Sequence, residues 1–159
     1  MQDAVNWRPP PQKKIKLAEF AVYQLPENTS LVIEDRGSYL YAEVSGPSDS
    51  FEISMAYWTA IAEQVHARGT RRLLVFERLG HYHGERDMTL MIDSIIAMGF
   101  ENVRVAFVDA FVEDLPIVEQ GEILAMERGI EGRVFGSVQQ ADRWLRIGAS
   151  DHVEAATGL

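Results

Sequence analysis

The chain has 159 residues, 47% apolar and 25% charged, which suits one domain with a substantial core. It contains no cysteine, so disulfides, thiolate metal sites and cysteine nucleophiles are excluded. The formal charge is −9, with +2 on residues 1–19 and −11 on the other 140; an acidic body repels a phosphate backbone, so nucleic acid is not an expected partner.

The chain opens MQDAVNWRPPPQKKIK. Charge is present, but no apolar stretch of the kind found in secretory signals follows it. No run approaches the ~20 apolar residues that span a bilayer. A cytoplasmic location is the expectation. Pro9, Pro10 and Pro11 fit neither a helix interior nor a central strand. Residues 1–16 are therefore expected to form a disordered basic arm, 17–147 a single domain and 148–159 a flexible tail.

LAEFAVYQL (17–25) suits a first or edge strand. SLVIEDRGSYLYAEVSG (30–46) reads as a β-hairpin, with Leu31–Ile33 and Tyr39–Val44 flanking Arg36-Gly37-Ser38. Gly46-Pro47 is expected to end the second strand, and a helix follows. Glycines then recur at 69, 99 and 129, each closing an amphipathic stretch and each followed by an apolar run. Those runs are Leu73–Phe76, Val103–Val108 and Arg133–Phe135. Thirty residues accommodate one strand, one helix and short loops, and a glycine just past a helix takes the left-handed turn that stops it.

Helical faces agree with this rhythm. Trp58, Ile61, Ala62 and Val65 share one side, as do Met88, Met91, Ile92 and Ile95 in the next helix. Ile117, Gly121, Leu124 and Ala125 align in the third, where Gly121 permits close approach to a sheet. Val138, Ala141 and Leu145, with Trp144 beside them, form a fourth. The runs LLVF and VRVAFV are nearly continuous in apolar residues, as in parallel strands covered on both faces. The expected fold is α/β: a mixed, mostly parallel sheet begun by a hairpin and continued by three βα units, with helices packed on it.

In such sheets ligands sit outside the carboxyl ends of the strands. The segment ERLGHYHGERD (77–87) is expected to be a loop at that end. With Asp109 to Asp114 it supplies the candidate ligand-binding residues His81, Tyr82, His83, Arg86, Asp87, Thr89, Asp109 and Asp114. His81 and His83 alternate as two imidazole ligands or an acid–base pair would. The bland alternative accounts for most of the others. Asp87 and Asp114 are suitable N-caps, and Glu85 and Glu113 suit helix N-termini. G-x-S-x-G and the phosphate-binding G-x-x-x-x-G-K-[ST] do not occur. No catalytic residue, cofactor or metal is assigned from the sequence.

The hairpin LVIEDRGSYLYAEVSG, then RRLLVFERLG, MGFENVRVAFVD, GEILAMERGIEGRVF and QQADRWL, in that order, resemble the SpoIIAA-like family of the STAS superfamily over roughly residues 30–147. The resemblance implies a non-enzymatic binding or regulatory module for a protein partner or small ligand. It is similar in turn to lipid-binding domains of the CRAL-TRIO type, which implies an apolar ligand as an alternative. In anti-sigma antagonists of the superfamily a phosphorylatable serine follows an aspartate at a helix start. Here Asp87 matches the aspartate and Met88 stands in the serine's place, with Thr89 next. A small His81/His83 enzyme, with or without a metal, is the rival reading. A homodimer through the hairpin edge and Trp144 is a third.

Overall fold

A computed structural model of the chain describes residues 19–157, with side chains through residue 147. The expected arm and the side chains of the expected tail lie outside the described residues. The strands are β1 (Phe20–Leu25), β2 (Thr29–Asp35), β3 (Leu40–Ser50), β4 (Arg72–His83), β5 (Arg104–Asp109) and β6 (Gly132–Phe135). The helices are α1 (Phe51–Arg68), α2 (Met88–Ile96), α3 (Leu115–Glu127) and α4 (Val138–Thr157), and a short 3-10 helix, Val112–Asp114, precedes α3.

The six strands form one sheet in the order of the sequence. β1 to β3 run antiparallel to one another, and β3 to β6 run parallel. The three expected crossovers are therefore present. Each advances the sheet by one strand in the same direction, and right-handed crossovers of that kind place their helices on one face. Accordingly α1, α2 and α3 share a core with Leu31, Ile33, Leu73 and Val75. On the opposite face Ala141 and Leu145 of α4 cover Leu74, Ala106 and Val108. Alternate residues of β4 and β5 thus enter two cores, which explains their continuous apolar runs.

Gly69, Gly99 and Gly129 all have positive φ, at 61°, 94° and 80°. The Gly69 N–H donates to the His66 and Val65 carbonyls, closing α1. Apolar residues after the second and third stops, Phe100 and Ile130, are buried against the same core.

Three expectations need correction. Gly46-Pro47 does not end β3, which continues to Ser50. The segment 77–87 is not all loop, because β4 runs to His83 and pairs Ser48 to Ser50 with His81 to His83. A proline survives inside this ladder because the partner opposite is glycine: a Cβ on Gly80 would lie 2.0 Å from the Pro47 carbonyl oxygen. Gly121 meets Met88 and Ile92 of α2, not the sheet. Trp144 is engaged within the fold, against Phe135 and under the Arg104 guanidinium 3.8 Å from its ring centre.

Candidate functional site

The two strand extensions change what the carboxyl end of the sheet presents. In β3 residues Leu40 to Ala42 and Val44 are buried, and burial resumes at Asp49. Asp49 is only 2% exposed, and Glu77 of β4 is 6% exposed. Ser50 caps α1, its Oγ accepting from the Ile53 N–H at 3.1 Å. That cap fixes the first turn of α1, from which Ser54 Oγ donates to Asp49 Oδ1 at 3.1 Å. One turn on, Tyr57 Oη donates to Glu77 Oε2 at 2.8 Å. Asp109 of β5 stands beside Glu77 in register and adds a third carboxyl.

Asp49 and Glu77 lie close enough for each to shift the other's titration. Burial pushes Glu77 well above its usual range, and the charges of Asp49 and Asp109 push the same way. Asp49 is raised too, chiefly by burial. Asp109 is lifted to about 6 by burial, against the bond its carboxylate receives from the Phe111 N–H; Asp114 also raises it. Tyr57 is raised by burial and then by Glu77. Displaced titrations gathered in one cleft are a signature of functional sites as well as of structural ion networks.

Arg86 ties this end together. Its guanidinium lies 3.6 Å from Asp49 Oδ2 and 3.6 Å from Asp114 Oδ1. It also sits 4.3 Å over the Tyr82 ring. Asp109 Oδ1 accepts from the Phe111 N–H at 2.8 Å, while its Oδ2 is buried with no hydrogen-bond partner. Arg86 Nε and Tyr82 Oη are buried in the same condition.

Below the acids lies a cavity of about 130 Å³. Its wall is mainly apolar: Trp58 of α1, Met91, Ile92 and Ile95 of α2, Phe107 of β5 and Gly121 of α3. Asp49, Glu77, Asp109 and Arg86 close one end. The methionine and isoleucine stripe of α2 thus faces an open space. Of the stripe only Met91 is buried.

The structure brings Arg86, Asp109 and Asp114 together and sets Tyr82 beside them. It does not bring the others in. His81 and His83 are exposed on the end of β4, rings 5.1 Å apart and nearly perpendicular. Asp87 caps α2, its Oδ1 accepting from the Leu90 N–H at 3.0 Å. Thr89 is exposed in the first turn of that helix. Asp114 precedes α3 as expected but makes no side-chain capping bond, because its carboxylate is turned to Arg86. Among the described residues no group of three or more His, Asp or Glu side chains is placed to hold a metal ion.

Sequence reasoning missed Asp49, Ser54, Tyr57 and Glu77. For Glu77 a signal existed. It continues the even spacing of Leu73 and Val75 toward Leu79, a charged residue at a core position. For Asp49 the signal was positional alone: Gly46–Ser50 follows a strand at the carboxyl end of the sheet, but GPSDS reads as a loop until Gly80 is seen to admit Pro47.

No protein-family model matches the chain, and no curated protein matches its sequence. Among the described residues no helix is long and apolar enough to cross a membrane.

Proposed function

We propose that the protein is a non-enzymatic, STAS-like binding or regulatory module that holds a small, mainly apolar molecule in the cavity beneath α2 and α3. The observation that carries this is the cavity itself: about 130 Å³ of space, apolar on its walls and closed at one end by hydrogen-bonded acids. Ligand sites commonly combine an apolar wall with a few converging polar groups. An apolar cavity of ~150 Å³ is large enough for benzene, which sets the scale of the occupant. The STAS-like part of the reading is supported by the element order, a hairpin followed by three βα units, and by the sequence resemblance.

Titration with toluene, followed by amide NMR and thermal melting, tests the reading. Shifts concentrated on α2 and α3 are expected, with a rise in melting temperature that grows with ligand concentration. Ala125→Leu, which fills the wall from α3, should abolish both. A wild-type protein indifferent to toluene, indole and similar molecules overturns it.

A protein partner at the same end of the fold is the second reading. It is favoured by Leu90, Phe111, Val112 and Leu115, which are 51%, 40%, 80% and 40% exposed. Val112→Ser with Leu115→Ser separates the two readings. The pair should weaken partner capture and leave the toluene response unchanged.

A further inference from the structure

Resting on the cavity reading, we propose that the bound molecule carries a protonated amine, seated against Asp109, on an apolar body about the size of a benzene ring. Three observations point there.

Carboxyls outnumber guanidiniums around the cavity: Asp49, Glu77, Asp109 and Glu122 line it with Arg86 and Arg133, and Asp114 pairs with Arg86. Arg86 already lies between Asp49 and Asp114 and is shared by both. Carboxylates crowded together repel unless a proton or a cation comes between them. An anionic ligand head would add to that repulsion.

Among the carboxyl oxygens at this end one buried acceptor is left over, beside two unpaired donors, Arg86 Nε and Tyr82 Oη. Asp49 accepts from the Ser50 N–H and Ser54 Oγ, and Glu77 from Tyr57 Oη. Asp109 lines the cavity, and its Oδ2 is buried with no partner. An ionised carboxylate only accepts, so the group that completes it must donate. An ammonium supplies three donors and the compensating charge.

A metal cation would answer the charge but not the geometry. Among the described residues no three of these side chains converge at ligating positions. An ammonium needs one carboxylate contact rather than a coordination shell. The wall, with Trp58, Phe107 and Ile92, is apolar and suits a hydrocarbon body better than water.

The test is an affinity series on the full chain near neutral pH: benzylamine, benzyl alcohol, toluene and benzoate, read by amide shifts on α2 and α3. Benzylamine should bind at least about tenfold more tightly than benzyl alcohol or toluene, a difference of about 1.4 kcal/mol. Benzoate should bind least. Asp109→Asn should bring benzylamine down to the level of benzyl alcohol, and its thermal melting transition reports that it is folded. If toluene binds and benzylamine shows no advantage, or benzoate is preferred, the amine assignment is wrong and the cavity reading stands. Failure of all four ligands overturns both. Should Asp109→Asn not fold, the wild-type ranking alone decides.

Discussion

The face of the sheet under α1 and the face under α2 and α3 are continuous, yet they are packed differently. α1 buries eight of its residues, including Tyr57, Ile61 and Val65. α2 buries Met91 alone, and α3 buries Gly121 alone. α2 packs on α1 and α3 more than on any strand. Where α1 fits the sheet the core is solid; where α2 and α3 lean on each other a space is left, and the buried acids lie on the boundary. A sequence with apolar residues at helical spacing specifies that a helix faces inward. It does not specify whether the inside is full.

Substitutions sharpen that contrast. Ile61→Ala in the solid half should cost about 3–4 kcal/mol in urea unfolding, the range for a fully buried branched side chain. Ile95→Ala, on the cavity wall, should cost about 1 kcal/mol, since part of its surface faces space and has few contacts to lose. Equal costs would break the comparison. Gly80→Ala should come close to the larger effect, about 3 kcal/mol, because the Pro47 backbone must move to admit it.

The boundary acids give a smaller, pH-dependent effect. Glu77, Asp49 and Asp109 are all raised in the fold, so the folded chain keeps protons that the unfolded chain releases. Their contribution to stability is complete below the unfolded values and fades as pH rises through the folded ones. For Asp109 that window runs from 3.8 to about 6, and for Glu77 it extends higher. Glu77→Gln keeps an acceptor for Tyr57 without a proton to lose. The variant should therefore gain on the wild type as pH rises above the usual carboxylate range, measured by urea melts at a series of pH values. A constant difference would show that Glu77 does not hold a proton in the fold.

The smallest expected effect is Gly121→Ala. Helix propensity favours it by up to about 1 kcal/mol, offset by a small shift of Met88 Cε, which would lie 3.0 Å from the new methyl. Stability should change by less than about 1 kcal/mol, within the spread of mild substitutions. Toluene affinity should fall, because the methyl intrudes on the wall.

The architecture was legible because its punctuation is local. Gly69, Gly99 and Gly129 each stop a helix within a few residues of where the next apolar run begins, and no distant contact is needed to read that. The boundary acids were not legible for the opposite reason. Glu77 becomes a core residue only because β4 continues past it, and β4 continues only because Gly80 lets Pro47 cross. That is a relation between residues far apart in the chain. The histidines drew notice by their spacing, yet pairing with β3 carries them along an exposed strand end. Arg86, Asp109 and Asp114 were found, though the reason they matter, the shared acid cluster, was not.

The strand order has a consequence for how the molecule is made. Each strand lies against the one synthesised just before it, so none has to be threaded between two that are already joined. As the chain leaves the ribosome, the hairpin can offer a finished edge to β4, and each later unit can add to the margin its predecessor left. Closure comes from the final helix, which seals the far side over strands already in place. Such growth keeps loop-closure costs low and shortens the time an open margin is exposed to other chains.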